Sequence, residues 1–284
     1  AKSLNYLPVI LSKHKGFYQA EGIDLELIQV ASMIGAKALM TGDLEFSGAQ
    51  AQVIAAAAKG LPVKVVGFLT VRPSFWLVAK PEIRSITDLK GKVVGTTAIG
   101  SSTDTLARYL LKKNGLVPDK EVTLFATGTT ANILAAMKGG SVDAGILSPP
   151  FHAMAKLLGF RFLAYLGDHV EQSLSGIGTS EKLLREKPDL VRKVIRASLK
   201  GLRFVRQNRE ETVQYIAKDW KVDRPLAEEL YVSMLPAFSA DGSMGEKGIR
   251  ETLEREREKL DIKEEIPLPR VIDLRLLKQA QKDF

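Results

Sequence analysis

The residues best placed for chemistry in this chain are hydroxyls, amides and glycines where helices open, rather than acid–base pairs. Gly100-Ser101-Ser102-Thr103-Asp104 follows the apolar run Val93 to Thr96 and precedes a helical period carrying Leu106, Ala107, Leu110 and Leu111. Ser101 with Asp104 fits a capping box, in which each side chain satisfies a free backbone N–H of the first turn. The same small residues leave the other N–H groups approachable. This helix start could therefore also hold an anion or a carbonyl through those donors and the helix dipole. Ser32-Met33-Ile34-Gly35 and Gly128-Thr129-Thr130-Ala131 open two more helices in the same way. Small polar residues also close two strands, in Ser47-Gly48-Ala49-Gln50 and Ser148-Pro149-Pro150, and strand ends are where open α/β sheets bind ligands. In Arg72-Pro73-Ser74-Phe75-Trp76, Arg72 can grip a carboxylate or sulfonate bidentately or form a surface salt bridge. Trp76 reads as packing before it reads as a ligand platform. Asn5, Tyr6, Trp76 and Phe151 would admit a heteroaromatic ligand. The expected ligand contacts are Asn5, Tyr6, Met33, Gln50, Arg72, Trp76, Ser101, Ser102, Thr129, Ser148 and Phe151.

Catalytic signatures are poor by comparison. His14, His152 and His169 stand alone, with no His-Glu-x-x-His or paired metal spacing. There is no Gly-x-Ser-x-Gly elbow, no P-loop and no full dinucleotide fingerprint, since Gly176-Ile177-Gly178 lacks the third glycine. His14, between Lys13 and Lys15, reads as a surface residue. Cysteine is absent, which excludes disulfides, thiolate metal sites, iron–sulfur clusters and cysteine nucleophiles. An enzyme stays open although nothing in these residues advertises one, and no cofactor, metal or catalytic residue is expected.

The elements that must position these residues alternate along the first two-thirds. Asp24 to Val30, Val63 to Leu69, Phe75 to Ala79, Val93 to Thr96, Val122 to Phe125, Ala144 to Leu147 and Arg161 to Tyr165 read as strands by their β-branched content. Helical periods fall at Ile34 to Met40, Ala49 to Lys59, Thr103 to Asn114, Ala131 to Lys138 and Pro150 to Leu158. Such alternation predicts an α/β fold built on mostly parallel sheets. From about Ser180 the chain is nearly all helical, and Leu190, Val194, Ile195, Ala197, Ser198, Leu202 and Val205 form one amphipathic stripe. An internal echo joins the two halves: Ala38 to Ser47 resembles Ala135 to Ala144 with one residue inserted, each ending a helix at glycine and entering a short strand through an acidic residue. Two similar lobes facing one cleft is the picture this suggests.

Composition bounds the rest. At ~150 residues per domain, 284 residues make two lobes or one large α/β unit. The 45% hydrophobic and 26% charged content excludes intrinsic disorder. Apolar stretches such as Val53 to Ala58 fall short of the ~20 residues of a membrane helix. The net charge of +8 raises nucleic acid as a partner, but no stretch interleaves basic residues with aromatics, and none is expected. Glu254 to Lys259 mixes both signs and reads as a solvated helix face. The chain starts at Ala1 with no initiator Met and no signal-like segment, so processing or trimming is expected to have removed the start.

A set of short motifs then follows in order over about residues 1–180. They are Lys15-Gly16-Phe17-Tyr18-Gln19-Ala20-Glu21-Gly22-Ile23-Asp24-Leu25-Glu26, then Ala38 to Ser47, then Asp88-Leu89-Lys90-Gly91-Lys92-Val93-Val94-Gly95. Gly100 to Asp104 and Gly139 to Asp143 with Ser148-Pro149-Pro150 complete it. In this order the chain resembles the ABC-transporter solute-binding proteins of the periplasmic type II class. More narrowly it resembles their nitrate/sulfonate/taurine and thiamine-pyrimidine-synthase-like branch. Each motif is weak alone, and the ordered set is specific.

The resemblance implies an α/β fold of two lobes, each a mostly parallel sheet flanked by helices, with a ligand cleft between them. Lobe one would be residues 1–78 plus 176–284 and lobe two 79–175, with crossovers near 72–79 and 173–179. It implies a monomer that captures a small sulfonate, carboxylate, nitrate or heteroaromatic molecule and hands it to a permease and its ATPase, without being an enzyme. Its location would be periplasmic or membrane-anchored outside the cytoplasm. The alternative is a biosynthetic enzyme of the pyrimidine-synthase type using the same cleft. Two departures matter. Members begin with a strand before the segment matching Ser3 to Pro8, and here only Ala1 and Lys2 precede it, so a fragment or an over-trimmed mature chain without that strand is expected. The resembling synthases use a cysteine-rich iron motif, which a chain without cysteine cannot supply.

Overall fold

The computed structural model describes residues 3–30 and 32–284, and the side chains of Ser32, Met33, Ile34 and Ala36 lie outside the described residues. Among the described residues the strands are β1 Phe46–Ala49, β2 Val63–Phe68, β3 Trp76–Ala79, β4 Val93–Thr96, β5 Thr123–Ala126, β6 Ala144–Leu147, β7 Arg161–Tyr165 and β8 Ser175–Ser180. They form a three-stranded sheet ordered β1-β8-β2 and a five-stranded sheet ordered β5-β4-β6-β3-β7. Two compact units contain them: residues 1–73, 170–215 and 234–284 in the first, residues 74–169 and 216–233 in the second. The segment 216–233, which the sequence placed with lobe one, groups with the second unit, where Lys156 pairs with Glu229 and His152 with Ser233. No helix among the described residues is long and apolar enough to cross a membrane.

The sheets are less parallel than expected. β8 runs antiparallel to both β1 and β2, so every ladder of the smaller sheet is antiparallel. In the larger sheet β4 pairs parallel with β5 and β6, whereas β3 is antiparallel to β6 and β7. The reversed strands, β3 and β8, share a cause. Strands linked by a crossover helix come out parallel, as β1 and β2 do through the helix Gln50–Ala58, and β4, β5 and β6 through Ser102–Lys113 and Thr130–Lys138. Neither β3 nor β8 has such a crossover within its own sheet: β3 leads to β4 through 80–92 with no α-helix, and β8 follows β2 only after all five strands of the other sheet. Asp24 to Val30 corrects a second expectation, since it forms no strand. Its apolar side chains find no core to cover them: Leu27, Ile28 and Val30 are exposed.

In the first unit the long helix Pro188–Gln207 buries Val194, Ile195, Ala197, Ser198, Leu202 and Val205, the stripe its period predicts, with Leu190 half-buried. It packs on the helix Leu7–His14 at close range. Ser12 Oγ donates to the Ala197 carbonyl at 2.6 Å, and a side chain at Gly201 would collide with the Pro8 carbonyl and Ser12 Oγ. Tyr18 bonds Ser198 at 2.8 Å, and burial pushes its hydroxyl up to about 12. Glu21 is buried beside Arg196 and Lys200. The hydrogen bond from Arg196, joined by that from Lys200, holds its carboxyl below the ordinary value against the cost of burial.

The second unit rests on a glycine pair. Gly95 of β4 and Gly145 of β6 are register partners, and both lack the Cβ that would strike Ile133 of the helix Thr130–Lys138. Ile133 is fully buried on them, which seats that helix, and the residues that open it, on the sheet.

Candidate functional site

Two polar edges carry the expected residues, one in each unit. In the second unit β5, β4 and β6 lie side by side and parallel, so their C-terminal ends share one edge. After β4 comes the loop to Ser101, the N-cap of Ser102–Lys113. Ser101 Oγ accepts from the Asp104 and Ala98 N–H groups at 3.4 Å, and it meets Thr97 and Thr103 hydroxyls at 3.0 and 2.9 Å. Asp104 answers by accepting from Gly100 N–H at 3.0 Å and from Arg108 Nε at 2.9 Å. The capping box is therefore real, with the carboxylate serving the residue before the cap. Ser102, next along, is exposed.

After β5, Thr129 caps Thr130–Lys138 by accepting from Asn132 N–H at 3.1 Å. Thr130 then meets Ser148, at the end of β6, with hydroxyls 3.1 Å apart. A cis Pro149–Pro150 bond follows, and Phe151 is half-buried. Below this edge Trp76 is 4% exposed, stacked on His152 with centroids 3.8 Å apart and against Tyr165 at 5.0 Å. The structure thus places Trp76 in the packing of the unit. His152 is fully buried, with Nε2 2.7 Å from Ser233 Oγ. Burial pulls its imidazole down to about 3, so it is neutral at physiological pH.

In the first unit β1 and β2 both run opposite to β8, so their C-terminal ends meet the start of β8 at one edge. Thr70, just past β2, accepts from the Leu174 and Ser175 N–H groups at 3.0 and 2.9 Å. The Gln172 N–H donates to the Val71 carbonyl at 3.1 Å, which lays the outgoing and returning segments side by side. Ser175 Oγ donates to the Asn5 carbonyl at 2.7 Å, fixing the turn that carries Asn5 and Tyr6. The Tyr6 ring lies on Gly48, where an added Cβ would stand 2.6 Å from Cε1, and burial raises its hydroxyl above the ordinary value. Gln50 opens Gln50–Ala58 at the end of β1 and is fully buried. Arg72 is half-buried on the segment leaving β2. Met33, named from the sequence, has its side chain outside the described residues.

Asn5, Tyr6, Gln50 and Arg72 thus belong to one edge, and Ser101, Ser102, Thr129, Ser148 and Phe151 to another. Sequence reasoning missed Thr70, Ser175, Thr97 and Thr130, whose hydroxyls knit these edges together. It also missed Ile99, 85% exposed on the loop beside Ser101. Nothing short of the strand order marks the four hydroxyls, whereas an apolar residue before Gly100 was a visible signal. Among the described residues no three His, Cys, Asp or Glu side chains gather as a metal site. A groove of about 650 Å³ lies elsewhere in the first unit, beside Lys64, Ile249 and Ile272. There Lys64 donates to the Pro269 and Arg270 carbonyls, both at 2.7 Å, which makes it a joint for the C-terminal segment.

Known proteins share this build. The periplasmic aliphatic sulphonate binding protein SsuA from Escherichia coli matches the structure with a TM-score of 0.76 at 20% identity, covering 97% of this chain and 96% of that one. The α/β architecture of two sheets flanked by helices is therefore that of periplasmic binding proteins. In sequence, the riboflavin-binding protein RibY of Chloroflexus aurantiacus is 27% identical over 248 residues, which is 82% of this chain and 69% of that protein. The 4-amino-5-hydroxymethyl-2-methylpyrimidine phosphate synthase of Legionella pneumophila is 26% identical over 248 residues, covering 82% and 76%. The family described as NMT1/THI5 like matches residues 3–212, and the chain belongs to that family.

Proposed function

We propose that the protein is the solute-binding component of an ABC importer. It captures a small polar or anionic organic molecule outside the cytoplasmic membrane and delivers it to a permease and its ATPase. The observation that carries this reading is the edge of the second unit. There, three parallel strands end together in hydroxyls and in the N-termini of two helices. Such donors grip a polar solute without moving a proton. The buried imidazole beneath them, held at about 3, is a poor base near neutral pH. The fold shared with a sulphonate-binding protein and the sequence kinship with a riboflavin-binding protein support the same reading.

The synthase relative favours a second reading, a biosynthetic enzyme acting on a pyrimidine. One experiment separates the two. A thermal-shift screen over alkanesulfonates, carboxylates, nitrate, riboflavin and pyrimidines should find a ligand that adds about 2.7 kcal/mol at 100 times its Kd. Recovering that ligand unchanged and stoichiometric supports the binder, and its conversion overturns it. Ser102→Leu should weaken binding tenfold, about 1.4 kcal/mol, without moving the melting temperature of the free protein. Wild-type affinity in this variant would move the site away from the helix start at Ser102.

A further inference from the structure

We infer that the polar edge of the first unit selects its ligand by an amide-like edge, a hydrogen-bond donor beside an acceptor, and that Gln50 reads it. The inference rests on the solute-binding reading and narrows the class of solute. Gln50 is fully buried, yet among the described residues neither its Nε2 nor its Oε1 has a hydrogen-bond partner. Buried side-chain amides are rarely left so, because an unmade bond forfeits the hydration given up on folding. The helix it opens is also bare at its start. Ala49 stands at the N-cap position and no side chain caps the first turn, whereas Ser101 and Thr129 cap theirs. Room for the amide is built into the sheet: a Cβ on Gly176 of β8 would collide with Oε1 and stand 2.5 Å from the Gly67 carbonyl. An unsatisfied donor and an unsatisfied acceptor therefore sit together at an uncapped helix start, on the edge that also holds Tyr6 and Ser175.

A primary amide carries both roles on one plane, and that decides what completes it. Nitrate and sulfonates present acceptors only. They would satisfy Nε2 and the backbone N–H groups but leave Oε1 facing lone pairs. A lactam, an imide or an amino-substituted azine offers an acceptor and a donor on two atoms that flank one carbon and satisfies both ends at once. Sites built on buried hydrogen-bonding groups reject analogues that lack the matching group by large factors.

The test uses four probes in calorimetry: riboflavin, whose ring carries an imide, cytosine, nitrate and methanesulfonate. At least one ring should bind the wild-type protein, and Gln50→Leu should weaken it tenfold or more without lowering the melting temperature of the free protein. Methylating the imide N3 of riboflavin removes the donor without touching the protein. It should cost the wild-type protein tenfold if riboflavin is the ring that binds, and Gln50→Leu almost nothing. Equal affinity of the binding ring for wild type and Gln50→Leu, or of the methylated and parent flavin for wild type, overturns the inference. Binding of nitrate or methanesulfonate alone overturns it as well and leaves the solute-binding reading standing. Binding of none of the four overturns the inference and counts against that reading too.

Discussion

His152 makes the second unit sensitive to acid, and the size of the effect follows from its surroundings. The imidazole lies under Trp76, bonds Ser233 and has no exposed surface. Burial lowers its proton affinity from an ordinary 6.5 to about 3, the nearby Lys156 adding to the shift. In the unfolded chain the same ring takes up a proton below pH 6.5. The stability it supports is therefore fully present above pH 6.5 and is lost as the pH falls toward 3. The slope approaches 1.4 kcal/mol per pH unit, reaching about 4–5 kcal/mol at the bottom of that window. Carboxylates also titrate in acid, so the comparison must be made against His152→Leu, which cannot take the proton. Urea unfolding of both proteins at pH 8, 7, 6, 5 and 4 should give a stability difference that is constant above pH 7. Below pH 6 that difference should shift toward the variant by more than 1 kcal/mol per unit. His169 is shifted in the same direction, by burial first and Lys113 second, but it is present in both proteins and cancels. A difference that stays flat from pH 8 to pH 4 would mean that the ring is solvated or charged in the native state. The account of a neutral, packed floor beneath the Ser148 edge would then be refuted.

Two further outcomes are open to direct measurement. Gly201→Ala forces a methyl group against the Pro8 carbonyl and Ser12 Oγ, where backbone cannot yield, and should cost about 1–3 kcal/mol as overpacking does; unchanged stability in denaturant would show that the helices Leu7–His14 and Pro188–Gln207 separate easily. Ser101→Ala removes the cap of Ser102–Lys113 and should cost about 1 kcal/mol, with Ser101→Asn recovering most of it; a melting curve indifferent to both would deny the hydroxyl its capping role.

Much of the frame was legible because local rules agree with it. The runs Val93 to Thr96, Ala144 to Leu147 and Arg161 to Tyr165 are strands at the expected residues, and the helices between them differ by a residue or two at their ends. The echo between Ala38–Ser47 and Ala135–Ala144 is visible in the backbone as well. Gly42 and Gly140 each take the left-handed conformation after their helix, with φ near 80°, and each leads into a short strand, β1 or β6. What the string hid was direction and partnership. β8 is built from Ser175-Gly176-Ile177-Gly178-Thr179-Ser180, a glycine-rich run with little strand propensity. Its glycines are there so that Gln50 and Val53 of the overlying helix can approach the sheet. The run Asp24 to Val30 has the propensity of a strand, and no ladder forms on it.

The site divides along the same line. A helix opening such as Gly100-Ser101-Ser102-Thr103-Asp104 reads equally well as a cap and as an anion cradle, because both uses need the same small polar residues. The structure separates them by counting bonds: the Ser101 hydroxyl is occupied by Ala98, Thr97, Thr103 and Asp104, so what remains for a ligand there is backbone and the exposed Ser102. At Gln50 the count runs the other way. Its place at a strand end made it an expected ligand contact, but that folding leaves its amide unused was not readable, since Gln-Ala-Gln-Val looks like any helix start. Only the tertiary arrangement shows that a buried amide with two strong hydrogen-bonding ends has neither in use among the described residues. The capacity of a polar group is fixed by its chemistry, whereas how much of that capacity folding consumes is fixed by its neighbours. The unconsumed remainder is what a ligand can bind.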